Sequence, residues 1–417
     1  MIRNPDYVSQ LPDGWKLTTV GESYHVIGGG TPPTEKKEYW EGDIPWISSA
    51  DISGVNSITP RRYITLDAIN NSATSLIPSG SIIVVTRVGL GKVALANFPL
   101  CISQDSQALI SQNHEIDTKF ALYFLSQAAK SFEYQGRGTT VSGITKKELK
   151  ELYLPVPPIS EQHGIIQILS TWDHAIDQVQ RLIEAKQRLK KGLMQGLLTC
   201  KLRFPEFGEP VEVEGKVPNG WKHLKIKEIA SLKAGGTPST FVPQYWGGEI
   251  PWMNSGELNL KVVNNVEGRI TELGLKSSNS FMVPRHSLLV GLAGQGKTRG
   301  TVAVNEIPIC TNQSIAAIMP KSNRADYLFL YYNFDFRYWE LRKMSAGDGG
   351  RGGLTLSILG NLYVTLPGVD EQVKIAQCLS SIDNYLKALQ TKKLTLIQQK
   401  NGLMQKLLTG EIRVKVN

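Results

Sequence analysis

The sequence predicts an α+β (mixed) protein in which two similar globular domains are separated by a long antiparallel two-helix coiled coil, arranged as a pseudo-two-fold internal repeat. Two repeated blocks support this prediction. Residues 12–52 are identical to residues 218–258 at 17 of 41 positions, and residues 161–199 are identical to residues 371–409 at 16 of 39 positions. One duplication of about half the chain makes an internal dimer, and such a protein usually meets a target that also has two halves.

The first repeated block contains four short motifs rich in Gly, Pro and Trp, and all four return 206 residues later. Gly and Pro favour tight turns, and a nearby Trp is typical of a side chain that packs a domain core. The motifs and their counterparts are Gly14-Trp15 and Gly220-Trp221, Gly29-Gly30-Thr31-Pro32 and Gly235-Gly236-Thr237-Pro238, Tyr39-Trp40 and Tyr245-Trp246, and Ile44-Pro45-Trp46 and Ile250-Pro251-Trp252.

Between the repeated blocks, each half mixes the patterns of strands and helices. Residues 81–86 and 287–290 are apolar runs bounded by Gly or Pro, as buried strands are. Residues 119–129 and 325–332 have the pattern of helices. Each globular domain is therefore predicted to contain both α and β structure.

The second repeated block has the clearest periodicity in the chain. Ten positions from 375 to 407, spaced by alternating steps of four and three, hold eight apolar residues, and the ten positions from 165 to 197 also hold eight. A 3.5-residue repeat of this length is typical of a coiled-coil seam. About 33 helical residues make a rod of roughly 50 Å, and two rods related by a two-fold axis across them must run antiparallel. The remaining seam positions are Lys186, Lys190, Lys393 and Lys400.

Pro-containing dipeptides precede both predicted helices, and Ser160 and Asp370 follow them as expected N-caps. Residues 204–216 are rich in Pro, Gly and Glu and are predicted to link the halves. The expected divisions are a first domain over residues 1–157, a first spacer helix over 158–202, a linker and second domain over 203–366, and a second spacer helix over 367–417.

The bulk composition favours a polyanionic partner, because the net charge is +9 and the isoelectric point is about 9.2. The four cysteines form no CxxC pair and the six histidines form no close pair, so the sequence predicts neither a zinc site nor a disulfide framework. No apolar run reaches the length of a membrane span, and the first residues contain no signal-peptide core. The expected location is the cytoplasm.

One segment satisfies the pattern of a phosphate-binding loop. Residues 291–298 read Gly-Leu-Ala-Gly-Gln-Gly-Lys-Thr, which fits GxxxxGK[ST] after a strand-like run. Such a loop requires a helix to begin at the Thr, because the helix N-terminus supplies the amides that bind phosphate. Residues 299–308 have the pattern of a strand instead. An NTP-dependent enzyme is therefore an alternative to the main prediction, and nucleotide titration of the isolated chain separates the two.

The candidates for DNA contact come from loop chemistry, because Gly lets a loop approach a backbone closely and Arg can bind guanine or phosphate. The sequence shows no catalytic constellation, no cofactor-binding residues and no metal site. The predicted DNA-binding residues are Thr31, Arg87, Lys92, Arg137, Thr237, Lys297, Arg299 and Arg351.

The repeated Gly-Trp, Gly-Gly-Thr-Pro and Ile-Pro-Trp motifs, together with the helix that begins near Glu-Gln and ends in Gly-Leu-Met-Gln-x-Leu-Leu-Thr, resemble the specificity subunit of Type I restriction-modification systems. The resemblance covers nearly the whole chain. It implies two target recognition domains that each read one half of a bipartite double-stranded DNA target. It also implies that the chain is not itself an enzyme and that its helices space the domains and bind partners.

The partners implied by the resemblance are two methyltransferase (M) subunits and the restriction and translocase (R) subunits. S-adenosylmethionine, ATP and Mg²⁺ are expected on those partners, with no cofactor in this chain. Apolar residues off the seam are expected to lie under the methyltransferase, namely Ile166, Ile168, Leu182, Leu189, Ile397 and Met404. A coiled-coil scaffold whose domains bind protein is a second alternative, which a DNA gel shift with the methyltransferase present would distinguish.

The predicted dimensions agree with this resemblance. A rod of roughly 50 Å with a domain at each end suits two half-sites about one DNA turn apart, ~34–36 Å. Residues 53–140 and 259–350 show little identity. Two different half-sites, read on opposite strands, are therefore expected.

Overall fold

The chain divides into two compact units, and each unit combines one globular domain with a part of each long helix. The first unit is Met1–Gln180 with Thr391–Asn417, and the second is Arg181–Gln390. Both contain sheets and helices, which confirms the predicted mixed α and β class. Within the described part of the chain, no helix is long and apolar enough to cross a membrane. The computed structural model describes residues 11–135, 143–211, 217–294, 297–344 and 353–415.

The strands of the first unit are β1 (Lys16–Thr19), β2 (Tyr24–Gly28), β3 (Ile44–Ile47), β4 (Ile52–Gly54), β5 (Ser57–Ile58), β6 (Arg62–Ile64), β7 (Leu76–Ile77), β8 (Ile82–Val85), β9 (Val93–Leu95), β10 (Leu100–Ile102), β11 (Ser106–Ser111) and β12 (Tyr153–Val156). They form sheets with the orders β2-β11-β8-β9 and β6-β3-β10-β7, and the pairs β1-β12 and β4-β5. The helices of this domain are α1 (Val20–Ser23), α2 (Leu66–Asn70), α3 (Thr118–Gln135) and α4 (Lys146–Lys150).

Strand β8 is the predicted buried strand of the first half, and both of its faces are covered. Ile82 and Val84 pack in a cluster with Phe120 of α3. Ile83 and Val85 pack in a second cluster with side chains of the other sheet. A strand covered on both faces is a continuous apolar run rather than an alternating one. This placement explains the pattern at residues 81–86.

The strands of the second unit are β13 (Lys222–Lys225), β14 (Ala230–Ala234), β15 (Trp246–Met253), β16 (Val262–Val263), β17 (Arg269–Ile270), β18 (Leu288–Gly291), β19 (Val302–Asn305), β20 (Cys310–Thr311), β21 (Ile315–Pro320) and β22 (Tyr363–Leu366). Their sheets have the orders β14-β21-β18-β19-β16 and β17-β15-β20, with β13 paired to β22. The helices are α6 (Ile226–Ile229), α7 (Glu272–Lys276), α8 (Tyr327–Phe336), α9 (Tyr338–Met344) and α10 (Leu356–Asn361). Strand β18 is fully buried, and α8 matches the predicted helix at residues 325–332.

The two long helices are α5 (Ile159–Leu198) and α11 (Val369–Leu407), of 40 and 39 residues. Each begins one residue before the expected cap, so the assignment of Ser160 and Asp370 as N-caps is wrong. The carbonyl of Pro158 accepts from the amide of Gln162 at 3.0 Å, so Pro158 is at the N-cap position and Ser160 lies inside the first turn. Every predicted seam position is buried or half-buried.

The lysines that interrupt the apolar seam all contact the other long helix within their own unit. In the first unit, the ammonium of Lys400 lies 2.5 Å from Asp173 Oδ1, and Lys393 donates to Gln180 Oε1 at 2.8 Å. These pairs join the early part of α5 to the late part of α11, so the two segments run antiparallel there. Buried lysine ammonium groups need such partners, because an unpaired charge in a seam is costly.

The second unit repeats the arrangement with the roles of the helices reversed. The ammonium of Lys190 in α5 lies 2.6 Å from Asp383 Oδ1 in α11, and that of Lys186 lies 5.2 Å from the ring centroid of Tyr385. Here the late part of α5 contacts the early part of α11, again antiparallel.

In each unit, a tyrosine of the globular domain donates a hydrogen bond to the aspartate of the Lys–Asp ion pair. This contact holds the domain on the helices. Tyr123 donates to Asp173 Oδ2 at 2.7 Å in the first unit, and Tyr332 donates to Asp383 Oδ2 at 2.8 Å in the second. Burial, followed by the neighbouring aspartate, raises the pKa of both tyrosines, so the hydroxyls remain protonated donors. The equivalent Lys–Asp–Tyr clusters fix each domain at one position along its helix segments.

Candidate nucleic-acid interface

The repeated Gly-Gly-Thr-Pro motifs form equivalent loops in the two units, and tryptophans fix them. The indole of Trp46 donates to the Gly30 carbonyl at 2.9 Å, and that of Trp252 donates to the Gly236 carbonyl at 3.0 Å. In the first unit, the Trp40 and Trp46 rings meet edge to face at 5.1 Å. The repeated tryptophans therefore hold the scaffold of the site, which agrees with their predicted role in packing.

Each loop presents its threonine to a glutamine on a neighbouring loop. Thr31 donates through Oγ1 to Gln104 Oε1, and Thr237 donates through Oγ1 to Gln313 Oε1. In the second unit this pair borders an open polar cavity of about 700 Å³, which also includes Lys276. The two predicted threonines therefore occupy matching positions on scaffolds that the units share.

The structure brings two predicted DNA-binding residues of the first unit, Thr31 and Arg87, together around the loop at 103–106. Gln104 holds Thr31, and the next residue, Asp105, lies 3.8 Å from the exposed guanidinium of Arg87. Lys92 belongs to the same β8–β9 hairpin as Arg87. Its ammonium, however, donates to the carbonyls of Ser49 and Ile52, at 2.7 and 2.9 Å. Lys92 therefore supports a turn, and its role as a DNA ligand stays a prediction.

In the second unit, Lys297 and Arg299 lie in the β18–β19 connection, which is anchored beside the loop that carries Gln313. The amide of Leu292 donates to the Ser314 carbonyl at 2.8 Å. Lys297 is exposed and Arg299 is half-buried. Arg137 and Arg351, the other two predicted DNA-binding residues, lie outside the described residues. The roles of Lys297 and Arg299 in DNA binding stay predictions.

The segment that resembles a phosphate-binding loop leads into a strand, as its sequence predicts. Residues 302–305 form β19, which pairs antiparallel with β18. No helix begins at Thr298, so the amides that a nucleotide phosphate requires are not arranged at a helix N-terminus. Across the part of the chain that the structure describes, no group of three His, Cys, Asp or Glu residues is placed to hold a metal ion.

One charged site in the first unit was missed by sequence reasoning. Asp51 and Arg61 form an ion pair at 2.5 Å, and with Trp46, Ser48 and Arg62 they line a pocket of about 310 Å³. The available signal was the Arg61-Arg62 dipeptide that follows the repeated Ile-Pro-Trp motif. The pair itself depends on how the chain folds back from β3 to β6, which the sequence did not reveal.

Comparison with known proteins agrees with this arrangement. The family model of the Type I restriction modification DNA specificity domain matches residues 12–187 and 218–399. The MjaVIII Type I restriction enzyme specificity subunit of Methanocaldococcus jannaschii is 26% identical over 424 residues, covering 97% of this chain and 95% of the relative. The EcoR124I/EcoR124II specificity subunit of Escherichia coli is 35% identical over 185 residues, covering 42% of this chain and 45% of the relative.

A solved structure shares the fold over nearly the whole chain. The Type I restriction-modification S subunit from M. genitalium superposes with a TM-score of 0.58 at 20% sequence identity, covering 98% of each chain. The duplicated domains and their matching loops define a protein with two recognition modules. Because the family model covers most of both halves, the chain belongs to the Type I restriction modification DNA specificity domain family. The predicted resemblance is therefore confirmed.

Proposed function

We propose that this chain is the non-catalytic subunit that selects the DNA target of a Type I restriction-modification complex, with each unit reading one half of a bipartite sequence. The observation that carries the proposal is that the two units share one scaffold but carry different charged side chains on its surface. Thr31 and Thr237 make equivalent hydrogen bonds, whereas Arg61 corresponds at the 206-residue offset to Glu267. A shared scaffold with different charges suits two readers of different half-sites.

The long helices supply the spacing between half-sites in this proposal. The antiparallel order of the contacts between α5 and α11 inside each unit supports this role. A continuous antiparallel coiled coil formed by both helices would act as the spacer. The predicted domain divisions at 1–157, 158–202, 203–366 and 367–417 are retained as the proposed functional modules.

The same helices also provide the proposed docking surface for two methyltransferase subunits. Leu182, Leu189 and Leu394 are 37%, 46% and 62% exposed, although they are apolar. Leu182 and Leu189 belong to α5 and Leu394 to α11, and exposed apolar side chains on a helix favour a protein partner. Three residues expected to lie under that partner do not fit this role: Met404 is only 3% exposed and packs in the core of the first unit, and Ile166 and Ile168 are partly buried against the same core.

The catalytic chemistry belongs to the partners in this account. The methyltransferase subunits would bind S-adenosylmethionine, and the restriction and translocase subunits would bind ATP and Mg²⁺. This chain would bring double-stranded DNA to them and hold no cofactor itself.

Inserting four residues, one helical turn, near the end of either long helix is expected to lengthen the gap between half-sites by one or two base pairs. The turn adds about 6 Å, and each base pair adds roughly 3.4 Å. Both half-sites should stay the same, because the recognition loops are untouched. Sequencing the DNA methylated by the assembled complex measures the gap.

The matched control places the same four residues within 212–216, a part of the predicted linker at 204–216, where no change of gap is expected. An unchanged gap after insertion into the helices would refute their role as the spacer.

A further inference from the structure

The turn at residues 48–52 holds one arginine of the first unit in a fixed orientation. Asp51 accepts at Oδ2 from the amide and the hydroxyl of Ser48, at 2.8 and 2.9 Å. Its other oxygen, Oδ1, accepts from Nε of Arg61 at 2.5 Å. The Asp51 side chain is 5% exposed. Both carboxylate oxygens are thus used, one to form the turn and one to orient the guanidinium.

Electrostatics keep this carboxylate charged although it is buried. Burial works against the charge, but the hydrogen bonds from Arg61 and Ser48 outweigh it and lower the pKa of Asp51. The ammonium of Lys92 further supports the turn by donating to the carbonyls of Ser49 and Ile52. Several independent contacts therefore stabilise the turn that orients Arg61.

The two terminal nitrogens of the Arg61 guanidinium remain available to bind a ligand. Only Nε is engaged, and the two terminal nitrogens have no hydrogen-bond partner among the residues that the structure describes. The side chain is 62% exposed at the edge of the pocket of about 310 Å³. The neighbouring Arg62 is used differently, because its guanidinium lies over the rings of Trp40 and Trp46, at 5.6 and 5.9 Å.

We propose that Arg61 reads a guanine in the DNA half-site bound by the first unit, with Asp51 as its positioning residue. The two terminal nitrogens of a guanidinium match O6 and N7 of guanine in the major groove. Holding Nε on a carboxylate fixes the plane of the group before DNA arrives, which favours two-point base recognition over a loose phosphate contact. This inference rests on the proposed function.

The contrast between the units supports base reading over a shared structural role. The turn itself is present in both, since Asn254 and Glu257 form the equivalent capping box in the second unit. The position equivalent to Arg61 is Glu267, which is exposed. A residue that served only the scaffold would have no reason to change its charge, whereas a base-reading residue must differ when the half-sites differ.

The test uses the complex assembled from this chain and its methyltransferase subunits, acting on DNA in which both half-sites are randomised. Sequencing the methylated fraction gives the base preference at each position. Arg61→Ala is expected to abolish the preference for a G·C pair at one position of one half-site, with a loss of discrimination of roughly 5- to 150-fold. The other half-site should be unchanged.

Two further variants separate orientation from charge. Arg61→Lys keeps the charge but not the two-point geometry, and is expected to lose the same preference. Asp51→Asn keeps one oxygen to form the turn but faces Arg61 with an amide, and is expected to weaken that preference alone. Lys147→Ala removes an exposed charge on α4, outside this pocket, and should leave every base preference intact. Thermal melting identifies any variant that fails to fold, in which case the remaining variants decide.

An equal loss of methylation on all sequences would make Arg61 a phosphate contact and overturn the inference, as would an unchanged preference in Arg61→Ala. Retention of the preference by Arg61→Lys would also overturn it. If the unmodified complex selects no bipartite target, the proposed function fails rather than the role of Arg61.

Discussion

Exchanging residues 20–150 for the matching segment of a related subunit is expected to replace one DNA half-site and leave the other half-site and the gap unchanged. The boundaries suit this exchange, because β1 and β12 lie just outside them and pair antiparallel from Lys16 to Thr19. The host chain thus keeps the closing strands, the long helices and Asp173. The donor must supply a tyrosine at the position of Tyr123, which holds the domain on the helices. Methylome sequencing identifies the new target.

The matched control exchanges residues 226–360, which lie between the paired strands β13 and β22 of the second unit. This exchange should alter only the other half-site. A change of both half-sites in either chimera would mean that the units do not read DNA independently.

Arg203→Ala is expected to destabilise the second unit by about 3–5 kcal/mol, the typical cost of leaving a buried charge without its partner. Arg203 donates to both oxygens of Glu371, each at 2.9 Å, and the two side chains are 5% and 4% exposed. The loss corresponds to a fall of roughly 6–20 °C in the melting temperature of a unit of this size. Thermal unfolding followed by circular dichroism measures it.

Arg413→Ala provides the matched comparison, because Arg413 makes the equivalent pair with Glu161 in the first unit. Arg413 is 43% exposed, and Trp15 also donates to Glu161 at 3.1 Å. Removing the Arg413 side chain should therefore lower the free energy of unfolding by clearly less than removing that of Arg203. Adding Glu371→Gln to Arg203→Ala should recover much of the lost stability by removing the orphaned charge. Equal effects of the two arginine variants would contradict the importance of burial.

Protonation provides a further check on the Arg413–Glu161 pair of the first unit. Burial disfavours the charge on Glu161, but hydrogen bonds from Arg413 and Trp15 prevail and lower its pKa. A lowered folded-state pKa contributes stability above the unfolded value, near 4.3, and that contribution disappears as the pH falls through the folded-state pKa. The stability that Glu161 contributes is therefore complete at neutral pH and lost in acid.

Periodic features of the fold were predictable from the sequence because they depend on residues close together in the chain. The seam was readable from spacing alone, and the buried run at 82–85 from its composition. The roles of Lys190 and Lys400 were not readable, since their partners Asp383 and Asp173 lie about two hundred residues away. A lysine at a seam position showed that the apolar pattern is interrupted there, but the sequence did not show which residue pairs with that lysine.

The candidate site was predictable only in its scaffold, for a similar reason. Repetition identified the loops that carry Thr31 and Thr237. It could not show that the ammonium of Lys92 rests on two carbonyls some forty residues earlier, nor that Asp51 orients Arg61. Loop side chains acquire their roles from contacts between distant segments, and local sequence patterns do not encode those contacts.

The central claim is that one chain reads two separate half-sites at a fixed distance. Single-molecule methylome sequencing of a host that expresses this chain with its methyltransferase subunits tests it most directly. The expected result is one bipartite, non-palindromic motif with a constant unread gap and a methylated base in each half, on opposite strands, which disappears when this chain is deleted. A continuous motif, or a bipartite motif that persists after the deletion, would contradict the claim.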